Sequence, residues 1–359
     1  MSKKSTPPAT PQPEHLFTPL DRLNADLKAA AATLSPAEVR YYTSRYYQMQ
    51  EERKRAALQM TAAQKQGKPN TLLLFDLQQS RKHERIIHTA MQINAQSSLA
   101  GRWLLSQFGV GPVIASGILA HLDITKAPYA GHFWSFAGLN AQQRWLSRVE
   151  ADAWVKAHSP VDEDTVLLAS ETFHRKHTTL WHDATIDWKT GEAKKLTAVS
   201  LAAALARCPY NQELKVLCWK FADVAKKFSN QHVDDNLYGQ LYKAYKVRAL
   251  QKDAAGEFGA LAAQTLDTRA FRDAATKAVY ESGHFPAGRI DLWAMRATIK
   301  MFLAHVHHVL FILHYHREPP LPYILAHHPE QHAQYIPPPH WPFEQGKAYA
   351  VASEEEDGE

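Results

Sequence analysis

Cysteine is nearly absent from this chain: only Cys208 and Cys218 occur in 359 residues. That excludes a disulfide-stapled scaffold and makes a reducing, cytoplasmic setting the expectation. Long apolar runs are lacking too. No stretch of the sequence reads as an uninterrupted membrane span of roughly 18 residues, so no membrane association is expected. Met1–Glu14 is polar and proline-rich and carries no apolar segment of the secretory kind. The glycine-rich phosphate loop of nucleotide hydrolases, the dinucleotide fingerprint and the Gly-x-Ser-x-Gly elbow are missing, which removes the readiest routes to those chemistries. Net charge is modest, +5 with a pI near 9.0, so a polyanionic partner is allowed but not demanded. Part of the basic excess is masked by the acidic end Glu354-Glu355-Glu356-Asp357-Gly358-Glu359.

What is present is helical periodicity almost throughout. Ser35-Pro36-Ala37-Glu38 has the form of a capping box with proline in the first turn. The helix it opens is expected to run to about Gln66 and stop at Gly67-Lys68-Pro69. Tyr41, Tyr42, Arg45, Tyr46, Arg53 and Arg55 interleave along it, suited either to a nucleic-acid backbone or to packing on a neighbour with the arginines in solvent. Further helices are expected over 20–34, 70–94, a short one capped by Ser97 or Ser98, 147–158, a segment opened by Ser159-Pro160-Val161-Asp162, 196–207 with Thr197 as cap, 211–229 and 235–253. One more is expected from Glu257 to Tyr280. Thr185 to Glu192 alternates weakly around a turn signal and allows a small β-hairpin. Arg289 to Tyr315 is the longest periodic segment of the C-terminal half. On it Arg289, Arg296, Lys300, His307 and His314 recur on one side, opposite Ile290, Trp293, Ala297, Met301, Val309 and Leu313.

The fold class expected is therefore mostly α: a multi-helix protein with a helix-hairpin-helix element, a small irregular or β-hairpin insertion, and an extended Pro/His-rich C-terminal arm. The expected organisation is a disordered start (1–15), an N-terminal helical region (16–97), the hairpin core (98–140), the insertion (141–210), a C-terminal helical region (211–318), the arm (319–345) and an acidic tail (346–359).

The centre of the chain is Leu104–Leu139, with Gly109-Val110-Gly111-Pro112 between two apolar helical segments. Glycines permit a tight turn and close backbone approach. Pro112 suits the first position of the second helix, and the free N–H groups of a helix N-terminus suit a phosphate. Arg102 and Lys126 lie near in sequence. The candidate nucleic-acid-binding set is accordingly Arg102, Gly109, Val110, Gly111, Pro112, Lys126, Arg289, Arg296 and Lys300. A plain helical corner that binds nothing is the competing reading.

Gly109-Val110-Gly111-Pro112, the alanine-rich run Ala115 to Asp123, and Phe136-Ala137-Gly138-Leu139 resemble the C-terminal Tnp domain of bridge-RNA-guided insertion-sequence transposases (the insertion sequence 110/116/902 family). A looser likeness continues over Leu214 to Phe228. Phage and prophage relatives sharing Leu217-Cys218-Trp219-Lys220 and a His/Pro-rich ending resemble it less specifically. The resemblance implies a scaffold that contacts DNA or RNA, and a role in recombination or transposition of a mobile element or phage. It also implies a RuvC-like nuclease with four carboxylates, and residues 1–100 supply no such cluster. The family's serine follows the Ala-Gly-Leu motif. Here Asn140 to Tyr210 intervenes, and Ser147 is the nearest candidate.

Other chemistry is sparse. His305 and His308, three residues apart on a helix, are metal candidates. His174, His177 and His182 form a second cluster, and Glu171, Asp183 and Asp187 are a carboxylate set that could hold Mg²⁺. DNA or RNA is the partner expected, and homo-oligomerisation is allowed. A nucleic-acid-modifying enzyme built on the hairpin scaffold and a non-catalytic interaction protein are the other two readings.

Overall fold

The computed structural model describes residues 22–67, 71–140, 145–187, 190–321 and 335–342. Fifteen α-helices account for most of them, and the only β-pairing among the described residues is a single bridge between Ile186 and Ala193. Of the expected segments, 1–15 and 346–359 lie outside the described residues.

Helix starts follow local capping chemistry. Asn24 caps α1 (Ala25–Ala32). Ser35 and Glu38 form a reciprocal capping box at the head of α2 (Pro36–Lys65): the Ser35 N–H donates to the Glu38 carboxylate at 2.8 Å, and the Glu38 N–H donates to the Ser35 hydroxyl at 3.4 Å. The chain leaves α2 at Gly67, whose φ of +64° is left-handed. α3 (Thr71–Gln96) packs against α2, burying Met49, Ile87 and Met91. Ser98 then caps α4 (Leu99–Leu105).

α5 (Pro112–His121) is the axle of the fold. Val113 through Ile118, Ala120 and His121 are all buried. A helix apolar on every side must be surrounded, and this one is flanked by α2, α3, α4 and α11 (Gln212–Lys227). Gly117 permits the approach: a Cβ there would sit 2.9 Å from Leu217 Cδ1 and 3.2 Å from Thr43 Oγ1. A 3-10 turn (Ile124–Lys126) and α6 (Ala130–Phe136) carry the chain onto α15 (Ala287–Tyr315). α12 (Leu237–Ala254) completes the layer under α15. Phe221 and Phe302 stack at 4.0 Å, with Tyr238 edge-on to both.

By length and mean hydropathy α15 is the one described helix that could cross a membrane. Half of its most apolar window is buried within the protein. The burial pattern also differs from the expected one. Ala294, Met295, Thr298, Ile299, Phe302, Leu303, Val306 and Val309 are buried, while Trp293, Ala297, Met301 and Leu313 are only half-buried. The cause is that α11, α12 and α6 all contact the helix.

The insertion corrects one expectation. In place of a small irregular or β-hairpin unit it is four helices, three at expected places and α9 additional: α7 (Arg148–Ala157), α8 (Glu163–Thr172), α9 (His177–Thr185) and α10 (Ala198–Ala206). They enclose a core of their own that includes Val155, Val166, Phe173, Leu180, Leu201 and Leu205. The hairpin shrinks to the Ile186–Ala193 bridge, held by the Asp187 N–H to the Glu192 carbonyl (2.8 Å) and the Lys194 N–H to the Thr185 carbonyl (2.7 Å). The neck is closed where the Asn211 N–H donates to the Phe136 carbonyl at 2.8 Å.

The helix expected from Glu257 to Tyr280 is broken into α13 (Gly259–Thr268) and α14 (Ala274–Glu281), because Asp273 caps the second piece. The described part of the arm, Tyr335–Pro342, lies against α4 and α15. The Trp103 indole N–H donates to the Pro339 carbonyl at 2.8 Å.

Candidate nucleic-acid interface

The turn between α4 and α5 has the backbone its glycines suggest. Gly109 has φ of +81°, and the Val110 N–H returns to the Gln107 carbonyl at 3.0 Å. Val110 is buried, Gly111 is the N-cap of α5 without a side-chain bond, and Pro112 is its first residue. Two sides of this turn differ. A Cβ on Gly109 would lie 2.6 Å from Val224 Cγ1, and the Phe108 ring meets Phe228 edge-on and His232 at 5.1 Å. That side is packed on the end of α11. Gly111 is exposed, and no atom lies within 4 Å of where its Cβ would be. The helix N-terminus therefore has open access from the Gly111 side.

The two cations expected beside the turn are elsewhere. Arg102 points its guanidinium back to the Gln96 carbonyl at 3.0 Å, at the head of α4 rather than its tail. Lys126 follows the far end of α5, about 15 Å of helix from Gly111, and pairs with Asp123 at 3.2 Å. The turn and these two side chains do not enclose one phosphate.

The α15 row is partly as expected. Arg289 is exposed, with its guanidinium 5.5 Å from the Phe285 ring centroid. Arg296 and Lys300 are half-buried along the same side. Burial, then the neighbouring Arg289, holds the Arg296 guanidinium below its ordinary value. Burial, then Arg296, does the same to the Lys300 ammonium. Among the described residues no carboxylate forms an ion pair with Arg296 or Lys300, so their charges stand as a positive strip there. Lys300 Nζ lies 5.4 Å from the Trp134 ring centroid, and the Trp134 indole N–H donates to the Lys300 carbonyl at 2.8 Å.

His307 does not extend that row outward. It is buried, its Nε2 bonds the Ala127 carbonyl at 2.8 Å, and its ring meets Phe133 edge-on. The 3-10 turn and α6 cover the C-terminal half of α15, so a side that helical periodicity marks as outer becomes interior. His314 remains exposed.

The metal candidates separate. His305 receives the Tyr238 hydroxyl at Nδ1 (2.9 Å), and its Nε2 bonds the Ile336 carbonyl at 2.9 Å. With both nitrogens engaged it has no lone pair to offer a metal. His308 instead takes the Tyr335 hydroxyl at 3.0 Å and lies 3.4 Å from Glu318. Among the described residues no three His, Cys, Asp or Glu side chains come together as a metal-holding set. Asp183, one of the Mg²⁺ candidates, is held between Arg207 (2.8 Å) and Arg175 (3.5 Å), while Glu171 stands exposed on α8. Ser147 is the N-cap of α7, in a reciprocal box with Glu150. Its hydroxyl is accounted for by helix capping, accepting the Glu150 N–H at 3.3 Å.

The aromatic and basic residues of α2 divide between roles. Tyr42, Tyr46 and Tyr47 pack on the α2–α3–α5 core, Arg53 pairs with Glu84, and Arg40 donates to the Ala120 carbonyl at 2.6 Å. Arg40 also lines a cleft of about 500 Å³ between α2, the end of α5 and α11, with His121 and Glu213 3.5 Å apart at its edge. Burial lowers the His121 pKa. Sequence reasoning did not single this cleft out. Its residues come from three distant segments, and nothing in the sequence announced their meeting.

No protein-family model, curated protein or solved structure matches the chain.

Proposed function

We propose that the protein binds DNA, and that it serves recombination, transposition or a related DNA transaction of a mobile element or phage. The observation that supports this most is the α15 strip. Burial first, and then the neighbouring cation, lowers the basicity of Arg296 (beside Arg289) and of Lys300 (beside Arg296), and among the described residues none of these three cations has an ion pair with a carboxylate. A polyanion relieves that repulsion and releases counterions when it binds. The open N-terminus of α5 at Gly111 adds a second contact of the backbone type, which positions a phosphate without selecting bases. The packing of Phe108 and Gly109 on α11 favours a different reading for the inner side of the turn, as a device that joins helices.

Binding is tested by titrating labelled duplex DNA across a salt series. Affinity should fall steeply with salt, and Arg296→Ala and Lys300→Ala should each lower the slope of log K against log salt by about 1. Affinity that is the same at low and moderate salt, or unchanged in the Arg289/Arg296/Lys300 triple alanine variant, overturns the reading. A nuclease and strand-transfer assay with Mg²⁺ tests the transposase part separately.

A further inference from the structure

We infer that the outer flank of α6 is a stacking edge for unpaired nucleobases, so that the strand it takes is single-stranded. This rests on the nucleic-acid reading above and specifies its substrate. Tyr129, His132 and Phe136 fall three and four residues apart, which places them on one flank of this short helix. Tyr129 is 56% and Phe136 42% exposed, which leaves ring surface open to a ligand. Tyr129 and His132 already lie parallel, 6.2 Å apart with 17° between their planes. Beyond α6 the aromatic surface continues: the Tyr210 ring sits where a Cβ on Gly138 would be, 2.6 Å away, and Trp145, itself exposed, meets Tyr210 edge-on.

Charge brackets these rings. Lys126, its side chain 82% exposed and paired with Asp123 at 3.2 Å, stands just before Tyr129. At the other end Lys215 Nζ lies 4.1 Å from the Tyr210 ring centroid. Exposed rings set beside lysines match a strand whose bases stack while its phosphates meet the cations. A paired duplex keeps its bases stacked inside and offers these rings nothing but sugar and phosphate edges.

The test compares a short oligothymidylate strand with a duplex, using the full chain and Tyr129→Ala, Phe136→Ala and Tyr129→Phe variants of unchanged unfolding midpoint. Each alanine variant should weaken binding of the strand by about tenfold. Its salt slope and its duplex affinity should stay as in the parent, and Tyr129→Phe should bind like the parent. Strand affinity untouched by either alanine change, while salt-dependent binding persists, overturns the stacking edge and leaves the DNA-binding reading standing. Equal losses for strand and duplex overturn the single-strand preference. A parent protein that binds neither strand nor duplex defeats the DNA-binding reading itself, and this inference with it.

Discussion

The Tyr238 hydroxyl donates to Nδ1 of His305 at 2.9 Å, and this bond fixes the imidazole as neutral with its proton on Nε2, facing the Ile336 carbonyl. Burial, with a small contribution from His308, pushes the His305 pKa down to about 4, against the pull of the Ile336 carbonyl. Between about pH 6.5 and 4 the unfolded chain binds a proton here that the folded chain refuses. Stability therefore rises with pH across that window and falls as the solution is acidified. The loss is on the order of 3 kcal/mol at most for this one group. Burial lowers His88, His121, His307 and His308 too, with the same sign. Asp291, which burial pushes up but Lys226, Lys246 and Tyr242 together hold at about 2, adds its loss only below about pH 4. Urea midpoints measured at pH 7.5 and pH 5 should differ clearly. Replacing His305 by Gln should flatten part of that dependence, and an unchanged pH profile in this variant would show that His305 is not its source.

Gly109 and Gly111 should respond oppositely to a methyl group. Gly109→Ala places a Cβ in a left-handed residue and against Val224, at a cost of about 1–3 kcal/mol. Gly111→Ala meets nothing within 4 Å at an ordinary φ of −79° and should be within about 0.5 kcal/mol of the parent. Thermal unfolding of the two variants decides the matter. Only Gly111 variants are then clean probes of contacts at the head of α5.

The division between what the sequence revealed and what it hid follows the range of the interactions. Ser35 and Thr197 each cap the helix they were expected to cap, and of the Ser97/Ser98 pair it is Ser98 that caps α4, because a cap joins residues three apart. The Arg289–Arg296–Lys300 row was readable from helical period for the same reason. α9 was not. Its His177-Thr-Thr-Leu-Trp-His start has poor intrinsic propensity, and it is held by Leu180 and Ala184 in a core shared with α10. His305 looked like a ligand because its partners, Tyr238 and Ile336, are 67 and 31 residues away. His307 looked exposed because nothing in its own helix announces that α6 lies over it.

The four-helix insertion has the anatomy of a unit that can be removed. Its buried residues, from Leu146 to Leu205, form one cluster in which only residues of the insertion take part. Its neck is narrow: the Asn211 amide reaches the Phe136 carbonyl at 2.8 Å, and Tyr210 covers Gly138. A short glycine linker from Asn140 to Cys208 spans such a gap with little loop-closure cost, since closure entropy grows only with the logarithm of length. The shortened chain should keep the α2–α5–α11–α15 body, whose core uses Ile118, Phe221 and Phe302 and nothing from 145–207. The expected result is cooperative unfolding with a midpoint near that of the parent, and helical circular dichroism reduced in proportion to the residues removed. Cys218 supplies an independent check. Burial pushes its thiol up to about 12, so in an intact body it should stay unreactive to thiol reagents until denaturant is added. Fast labelling of Cys218 in the shortened chain would mean that the insertion braces the body rather than merely riding on it.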